Sequence, residues 1–80
     1  MYFVYILKSE KDNGYYIGQT ESLNDRIAKH GAGQVKSTKP RRPFTLVRSE
    51  QFATRTEARV RENYLKKLKG GNEFKKNHRR

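Results

Sequence analysis

Two phenols, a guanidinium and an imidazole within the first thirty residues are the side chains best suited to acid–base chemistry. Tyr5 and Tyr16 lie in two short apolar runs, and Arg26 and His30 follow them. A free tyrosine has a pKa of about 10, so a general base made from it needs nearby positive charge to stabilise the phenolate. Arg26 could supply that charge, and His30 is the other base with a suitable resting pKa. Both tyrosines could instead be packing residues with polar tips.

Arg26 and His30 are four residues apart, so on a helix they share one face. The same face carries Leu23 and Ile27. A lone histidine on an apolar face is most often a hydrogen-bonded core residue, and this alternative stays open for His30. An arginine is almost never fully buried without a partner, so its presence there predicts that the pair borders a cleft.

Glu62 is the acidic residue that has no evident local role. Glu57 is accounted for as the third residue of a capping box that starts at Thr54. Glu62 lies at the edge of the apolar arc of the same helix, where it could pair with Lys66 at i, i+4 and contribute a few tenths of a kcal/mol. It could also hold one Mg²⁺ near phosphate, with waters completing the octahedron. The residues alone do not choose between these two interpretations.

Nineteen basic residues against eight acidic ones give the chain a net charge of +11. An imbalance of this size causes self-repulsion unless a polyanion offsets it, so a nucleic-acid partner is expected. An anionic membrane surface is the weaker alternative, because no strongly amphipathic basic helix with large apolar anchors is evident. The predicted nucleic-acid-binding residues are Lys36, Lys39, Arg41, Arg42 and Lys66.

The length of 80 residues predicts a single domain spanning 1–80. The chain has no cysteine, which excludes thiolate metal sites and thiol catalysis and fits a reducing compartment. The apolar start is too short for a membrane span or a signal sequence, so a cytoplasmic localisation is expected. No glycine-rich phosphate loop, zinc-ligand spacing or pair of catalytic acids is evident.

A small sheet and two helices are needed to bring these side chains together. The first seven residues after Met1 are apolar on both alternate faces, which suits a central strand. Asn13-Gly14 is a strong hairpin signal. Gly18 in the return strand suggests a close approach by the substrate or a neighbouring backbone, which a side chain would block.

The predicted fold class is α+β, with a three-stranded antiparallel sheet flanked by helices in the order β-β-α-β-α, followed by a short last helix. The predicted strands are Tyr2–Lys8, Tyr15–Thr20 and Phe44–Phe52. The predicted helices are one capped by Ser22 and stopped by Gly31 and Gly33, one at Thr54–Lys69, and a short one at Asn72–His78.

The ordered set of these motifs resembles the GIY-YIG nucleases. Phe3-Val4-Tyr5 stands at the GIY position, with Phe3 in place of its glycine, and Tyr16-Ile17-Gly18 is the YIG element itself. Arg26, His30 and Glu62 follow in the matching order. The chain looks most like the small stand-alone bacterial proteins related to the nuclease domain of the nucleotide-excision endonuclease, and the resemblance covers nearly its whole length.

The resemblance implies metal-dependent hydrolysis of a DNA phosphodiester at one active site. On this basis Tyr16 is the general base that activates water, assisted by Tyr5 with a relay through His30. Arg26 would stabilise the charge of the phosphorane, and Glu62 would hold the one divalent metal ion. Family members often add an asparagine near the C-terminus, for which the candidates are Asn72 and Asn77.

The expected function is a Mg²⁺-dependent DNA endonuclease, with Mn²⁺ as the other candidate metal. It is expected to nick DNA with little sequence preference, in repair or recombination. No small-molecule cofactor beyond the metal and no membrane partner are expected, whereas a homodimer or a targeting protein would fit so small a nuclease. The alternative is a nucleic-acid-binding or accessory protein that keeps the fold and cuts nothing. An RNA-associated protein is a third, weaker hypothesis.

Overall fold

The computed structural model describes residues 1–69, in which three strands and two helices follow one another in the predicted order. The elements are β1 (Tyr2–Ser9), β2 (Tyr15–Thr20), α1 (Leu23–Ala32), a short 3₁₀ turn (Lys39–Arg41), β3 (Phe44–Phe52) and α2 (Arg55–Leu68). The predicted α+β class and the β-β-α-β-α order are confirmed. The short helix predicted at Asn72–His78 lies outside the described residues. Neither α1 nor α2 is long and apolar enough to cross a membrane.

β1 is the central strand of an antiparallel sheet with the order β2-β1-β3. Side chains alternate along a strand, so Val4 and Ile6 face one side of the sheet while Tyr5 and Leu7 face the other. All four are buried, which explains why β1 is apolar on both alternate faces. The central position predicted for this strand is confirmed.

The apolar core lies between the sheet and α2. Its buried members are Val4, Ile6, Tyr15, Ile17, Ala58 and Leu65. Fully burying an aliphatic side chain of this size contributes about 1.5–3 kcal/mol. The predicted capping box starts α2: the Thr54 hydroxyl accepts from the Glu57 backbone N–H, and the Glu57 carboxylate accepts from the Thr54 backbone N–H. Glu57 therefore has the structural role expected of it.

α1 extends one residue beyond Gly31, which is the first of its two predicted stop signals. Gly33 caps the helix in the left-handed region with φ 79°, where glycine is favoured. Gly31 was also expected to stop α1 but lies inside it, because nothing at that position requires a positive φ. Ser22 occupies the N-cap position as predicted, although its side chain makes no capping hydrogen bond.

Candidate active site

The face of the sheet opposite α2 carries the two phenols. The register pairs Tyr5 with Gly18 and Leu7 with Tyr16, so the tyrosines are diagonal neighbours on β1 and β2. Their ring centroids are 6.3 Å apart. Tyr5 is 1 % exposed, whereas Tyr16 is only half-buried. Tyr16 is therefore the phenol that a solvent water can reach more readily.

Gly18 makes room for the Tyr5 ring. A Cβ atom at this position would lie 2.5 Å from the Tyr5 hydroxyl oxygen and 2.7 Å from its Cζ. Any side chain at Gly18 would therefore collide with the phenol that crosses it. The sequence predicted a close approach here by substrate or backbone; the close approach is real, but a side chain makes it.

His30 is held between a phenol and a hydroxyl. Its Nε2 lies 2.9 Å from the Tyr5 hydroxyl, and its Nδ1 lies 2.8 Å from Thr38 Oγ1. The ring is 1 % exposed and packs edge-on against Tyr16, with centroids 5.0 Å apart. Burial lowers the pKa of His30, and the nearby charge of Arg26 lowers it further. His30 is therefore neutral at pH 7 and able to accept a proton.

Arg26 lies one turn before His30 on α1 and reaches the same phenols. Hydrogen bonding with Tyr5, opposed by desolvation and reinforced by Tyr16, raises the pKa of Arg26. Its Nε is buried and has no hydrogen-bond partner within residues 1–69. A buried unsatisfied donor costs about 1–3 kcal/mol, so an oxygen ligand at this position would remove a local penalty. Arg26 is half-buried, and the cleft expected from the sequence beside it and His30 stays a prediction.

The environment of Tyr5 keeps its phenol protonated. Burial raises the pKa of Tyr5; hydrogen bonding with Arg26 opposes this, and the neighbouring Tyr16 and Glu62 raise the pKa further. Because the pKa lies above the ordinary value, Tyr5 is a hydrogen-bond donor at neutral pH. The Tyr5 hydroxyl lies within hydrogen-bond distance of His30 Nε2.

Glu62 is on α2 and its side chain is 12 % exposed. Lys66 Nζ lies 2.9 Å from Oε2, so the predicted i, i+4 pair forms. Gln19 at the end of β2 donates from Nε2 to Oε1 over 2.9 Å. The carboxylate is thus oriented from two sides, and its influence on the Tyr5 pKa shows that it lies within electrostatic reach of the phenols.

The donor set around Glu62 limits the kind of metal site that the chain can offer. No group of three or more His, Cys, Asp or Glu side chains that could hold a metal ion occurs within residues 1–69. A carboxylate has about four lone-pair positions, so two accepted hydrogen bonds leave room for a cation. Glu62 therefore fits one Mg²⁺ whose other ligands are water and phosphate, and does not fit an all-protein cage.

A basic pocket lies beside Phe44, whose ring contacts His30 with centroids 6.2 Å apart. Its cationic lining consists of Lys11, Lys36, Lys39 and Arg42, and no Asp or Glu of the described chain lines it. Three of these four cations were predicted to bind nucleic acid. Lys11 was missed because it belongs to the β1–β2 turn, and only the tertiary fold brings that turn to the loop; its Nζ donates to the Pro40 carbonyl over 3.0 Å.

The other two predicted nucleic-acid-binding residues form ion pairs. Arg41 Nε donates to Asp12 Oδ2 over 2.8 Å, and Lys66 pairs with Glu62. The hydrogen bond from Arg41 lowers the pKa of Asp12 to about 2. The candidate asparagines Asn72 and Asn77 lie outside the described residues. Thr38 and Gln19 were also missed, because a hydroxyl in a loop and an amide at a strand end give no local signal of their partners.

A three-stranded antiparallel sheet with two helices in the order β-β-α-β-α has the architecture of the GIY-YIG fold. Here the sheet carries the paired tyrosines, and α1 carries the arginine and the histidine. The chain belongs to the GIY-YIG catalytic domain family, whose family model matches residues 1–77. This is a nuclease family, and its members generally use a divalent metal ion. DNA is the substrate class that a nuclease domain of this kind implies.

The relatives are small bacterial proteins. UPF0213 protein YazA of Bacillus subtilis (strain 168) is 44% identical over 68 residues, which cover 84% of this chain and 68% of that protein. UPF0213 protein SH2523 of Staphylococcus haemolyticus is 47% identical over 66 residues, or 81% of this chain and 79% of that protein. The solution NMR structure of UPF0213 protein BH0048 from Bacillus halodurans is similar at 35% identity and a TM-score of 0.58, covering 96% of this chain and 81% of that one.

Proposed function

We propose that the protein is a divalent-metal-dependent DNA endonuclease that nicks one strand with low sequence specificity. The observation that carries this proposal is Arg26, which interacts electrostatically with both phenols and has a buried Nε that lacks a partner within residues 1–69. A phosphate oxygen would satisfy that donor, and a guanidinium is well suited to the charge of a phosphorane. DNA repair or recombination is the setting that such an activity would serve.

Tyr16 is the proposed general base. It is more accessible than Tyr5, and the guanidinium of Arg26 is close enough to stabilise negative charge on its oxygen. In the reaction, the water oxygen forms a bond to phosphorus while its proton moves to the Tyr16 oxygen, and the Tyr16 hydroxyl proton passes on through Tyr5 to His30. The bond from phosphorus to the 3′ oxygen breaks and the 3′ oxygen takes a proton from solvent, while Arg26 offsets the charge that develops on the phosphoryl oxygens. Tyr5 and His30 orient this group from the buried side through their hydrogen bond.

Glu62 is the residue that would hold a Mg²⁺ or Mn²⁺ ion, oriented by Gln19 and Lys66. When bound, such an ion supplies Lewis-acid stabilisation to the leaving oxygen. The DNA backbone would follow the basic pocket, where Lys36, Lys39 and Arg42 are joined by Lys11. Phosphate contacts of this type position a duplex without reading its sequence, which agrees with low specificity.

The test is nicking of supercoiled plasmid in Mg²⁺ by the purified protein and by Tyr16→Phe and Glu62→Ala. Loss of a general base or of the metal-binding acid should each lower the rate by roughly 100-fold or more. Tyr64→Phe is the matched control because Tyr64 is an exposed phenol on α2, and it should cut at the wild-type rate. Wild-type rates for both site variants would refute the proposed roles.

A non-catalytic nucleic-acid-binding protein is the second candidate. Both oxygens of Glu62 already accept hydrogen bonds, from Gln19 and Lys66, and this would also suit a purely structural carboxylate. Duplex, branched and single-stranded DNA should therefore each be assayed with Mg²⁺ and with Mn²⁺. Tight binding without cleavage of any of them would favour this second function, and competition with RNA would then identify the preferred nucleic acid.

A further inference from the structure

Thr38 is a buried polar residue that the proposed reaction leaves without a role. Its exposure is 0 %, although it belongs to the loop between α1 and β3. The loop turns tightly on one carbonyl: the backbone N–H groups of Thr38 and Lys39 both donate to the oxygen of Val35, over 3.1 and 2.9 Å. This turn directs the Thr38 hydroxyl at the Nδ1 atom of His30, 2.8 Å away.

Hydrogen bonds link the Val35 carbonyl, Thr38, His30 and Tyr5 in a row. Counting the donors and acceptors in this row determines which atoms carry the protons. The Thr38 hydroxyl has one proton, and it donates to the Val35 carbonyl over 3.3 Å. Thr38 Oγ1 must then accept from His30, so the Nδ1 atom carries the imidazole proton. The Nε2 atom of the neutral ring keeps its lone pair and accepts from the Tyr5 hydroxyl.

The opposite tautomer leaves a buried proton without an acceptor. With the proton on Nε2, His30 would donate to the Tyr5 oxygen, and the hydroxyl proton of Tyr5 would lose its acceptor. His30 Nδ1 would then also face the oxygen of a Thr38 hydroxyl whose proton goes to the Val35 carbonyl. Tyr5 is 1 % exposed, so water could not readily replace that acceptor. A buried polar group without a partner destabilises the fold. The first arrangement gives both ring nitrogens and both hydroxyl protons a partner, and it is the stable one.

We propose that Thr38 is a positioning residue that fixes His30 as the Nδ1–H tautomer and thereby presents a basic Nε2 to Tyr5. The consequence for the reaction rests on the proposed nuclease function. When Tyr16 takes the proton of the attacking water and passes its own hydroxyl proton to the Tyr5 oxygen, the Tyr5 proton passes to His30 Nε2, which forms an imidazolium. The Nδ1–H bond to Thr38 is unchanged in that transfer, so no ring rotation is needed.

The tautomer can be measured without DNA or metal. Long-range ¹H–¹⁵N correlation spectra of the folded protein distinguish protonated from unprotonated ring nitrogens, and His78→Gln assigns the two histidines of the chain. The wild-type protein and Thr38→Ser should both show His30 protonated at Nδ1. Thr38→Val removes the acceptor and should shift His30 to the Nε2–H form. Ser37→Ala, a change at an exposed neighbour, should leave the spectrum unchanged.

An Nε2–H tautomer in the wild-type protein would overturn the proposal, as would an unchanged Nδ1–H tautomer in folded Thr38→Val. Should Thr38→Val fail to fold, the wild-type and Thr38→Ser spectra still decide. In the nicking assay, Thr38→Val should lower kcat roughly tenfold or more with little change in KM, and Thr38→Ser should restore it. Because the spectra involve no cleavage, an inactive protein with the Nδ1–H tautomer would refute only the nuclease function.

Discussion

Tyr5 and Tyr16 share one face of the sheet, but their environments differ. Tyr5 is buried, hydrogen-bonded to His30 and held above Gly18. Tyr16 is half-buried and open to a reacting water. The same side chain is therefore a structural donor at one position and the candidate base at the other. At the residue scale, the absence of a side chain at Gly18 determines where the Tyr5 ring can lie.

Gly18→Ala should destabilise the protein by about 1–3 kcal/mol, because the new Cβ would collide with the Tyr5 phenol and force it off its rotamer. Chemical denaturation measures the change in the free energy of unfolding. Gly31→Ala is the matched control: a Cβ there meets nothing within 4 Å, and alanine in a helix should stabilise by about 0.8–1 kcal/mol. Equal effects of the two substitutions would contradict this account of Gly18.

At the scale of elements, the β1–β2 turn is tied to the loop that precedes β3. The tie consists of the Asp12–Arg41 ion pair and a hydrogen bond from Ser9 Oγ to the Arg41 carbonyl, 2.6 Å long. Lys11 adds a bond to the Pro40 carbonyl. Arg41 thus anchors the loop that carries Thr38 and the basic pocket. The positive charge of Arg41 is paired with the Asp12 carboxylate.

The Asp12–Arg41 pair should make stability depend on pH at the acidic end. The folded pKa of Asp12 is about 2, below its ordinary value of 3.8, so its contribution is present above the ordinary value and is lost as the pH falls through the folded one. Asp12→Asn should therefore lower the unfolding free energy near neutral pH and flatten its decline in acid. Denaturation at a series of pH values measures both effects.

Arg41→Gln supplies the control for this pair. If the ion pair carries the effect, Asp12→Asn should cause little further loss in the Arg41→Gln background, which is the non-additivity expected of residues in contact. Fully additive losses in the double variant would show that the two side chains act independently.

At the scale of the whole molecule, several basic side chains are concentrated at one pocket, whereas others form ion pairs. Lys11, Lys36, Lys39 and Arg42 converge on one pocket that no acidic side chain of the described chain lines. Other cations of the chain are paired: Arg61 and Arg48 with Glu50, and Arg55 with Glu21. The positions of the basic side chains, as well as the net charge of the protein, should therefore govern its affinity for DNA.

The double variant Lys39→Gln with Arg42→Gln should bind DNA more weakly and with a shallower salt dependence. Each lost phosphate contact lowers the slope of log K against log salt by about 0.9. The control is Arg59→Gln with Lys67→Gln, which removes the same charge from exposed positions on α2 outside the pocket. Fluorescence anisotropy in metal-free buffer at several salt concentrations measures the slopes. Identical slopes for the two double variants would argue against a special role for the pocket.

Local rules were sufficient to predict the strands and helices of residues 1–69 and to put two candidate site residues on one helix face. Apolar residues on both faces identified β1 as the central strand, and Thr54 with Glu57 marked the start of α2. Arg26 and His30 were placed on one helix face by their spacing alone. These predictions succeeded because strand alternation, helix periodicity and capping depend on residues that are neighbours in the chain.

The partners of those residues depended on the tertiary structure. Thr38 reaches His30 only because of the path of a loop, and Gln19 meets Glu62 across 43 positions of the chain. Arg41 forms an ion pair because the β1–β2 turn, which carries Asp12, lies against the loop before β3. A slip of one residue in the register of β1 would move Tyr5 to the other face of the sheet and separate it from His30. The amino-acid sequence thus determined which side chains could do the chemistry, whereas register and loop path decided which of them meet.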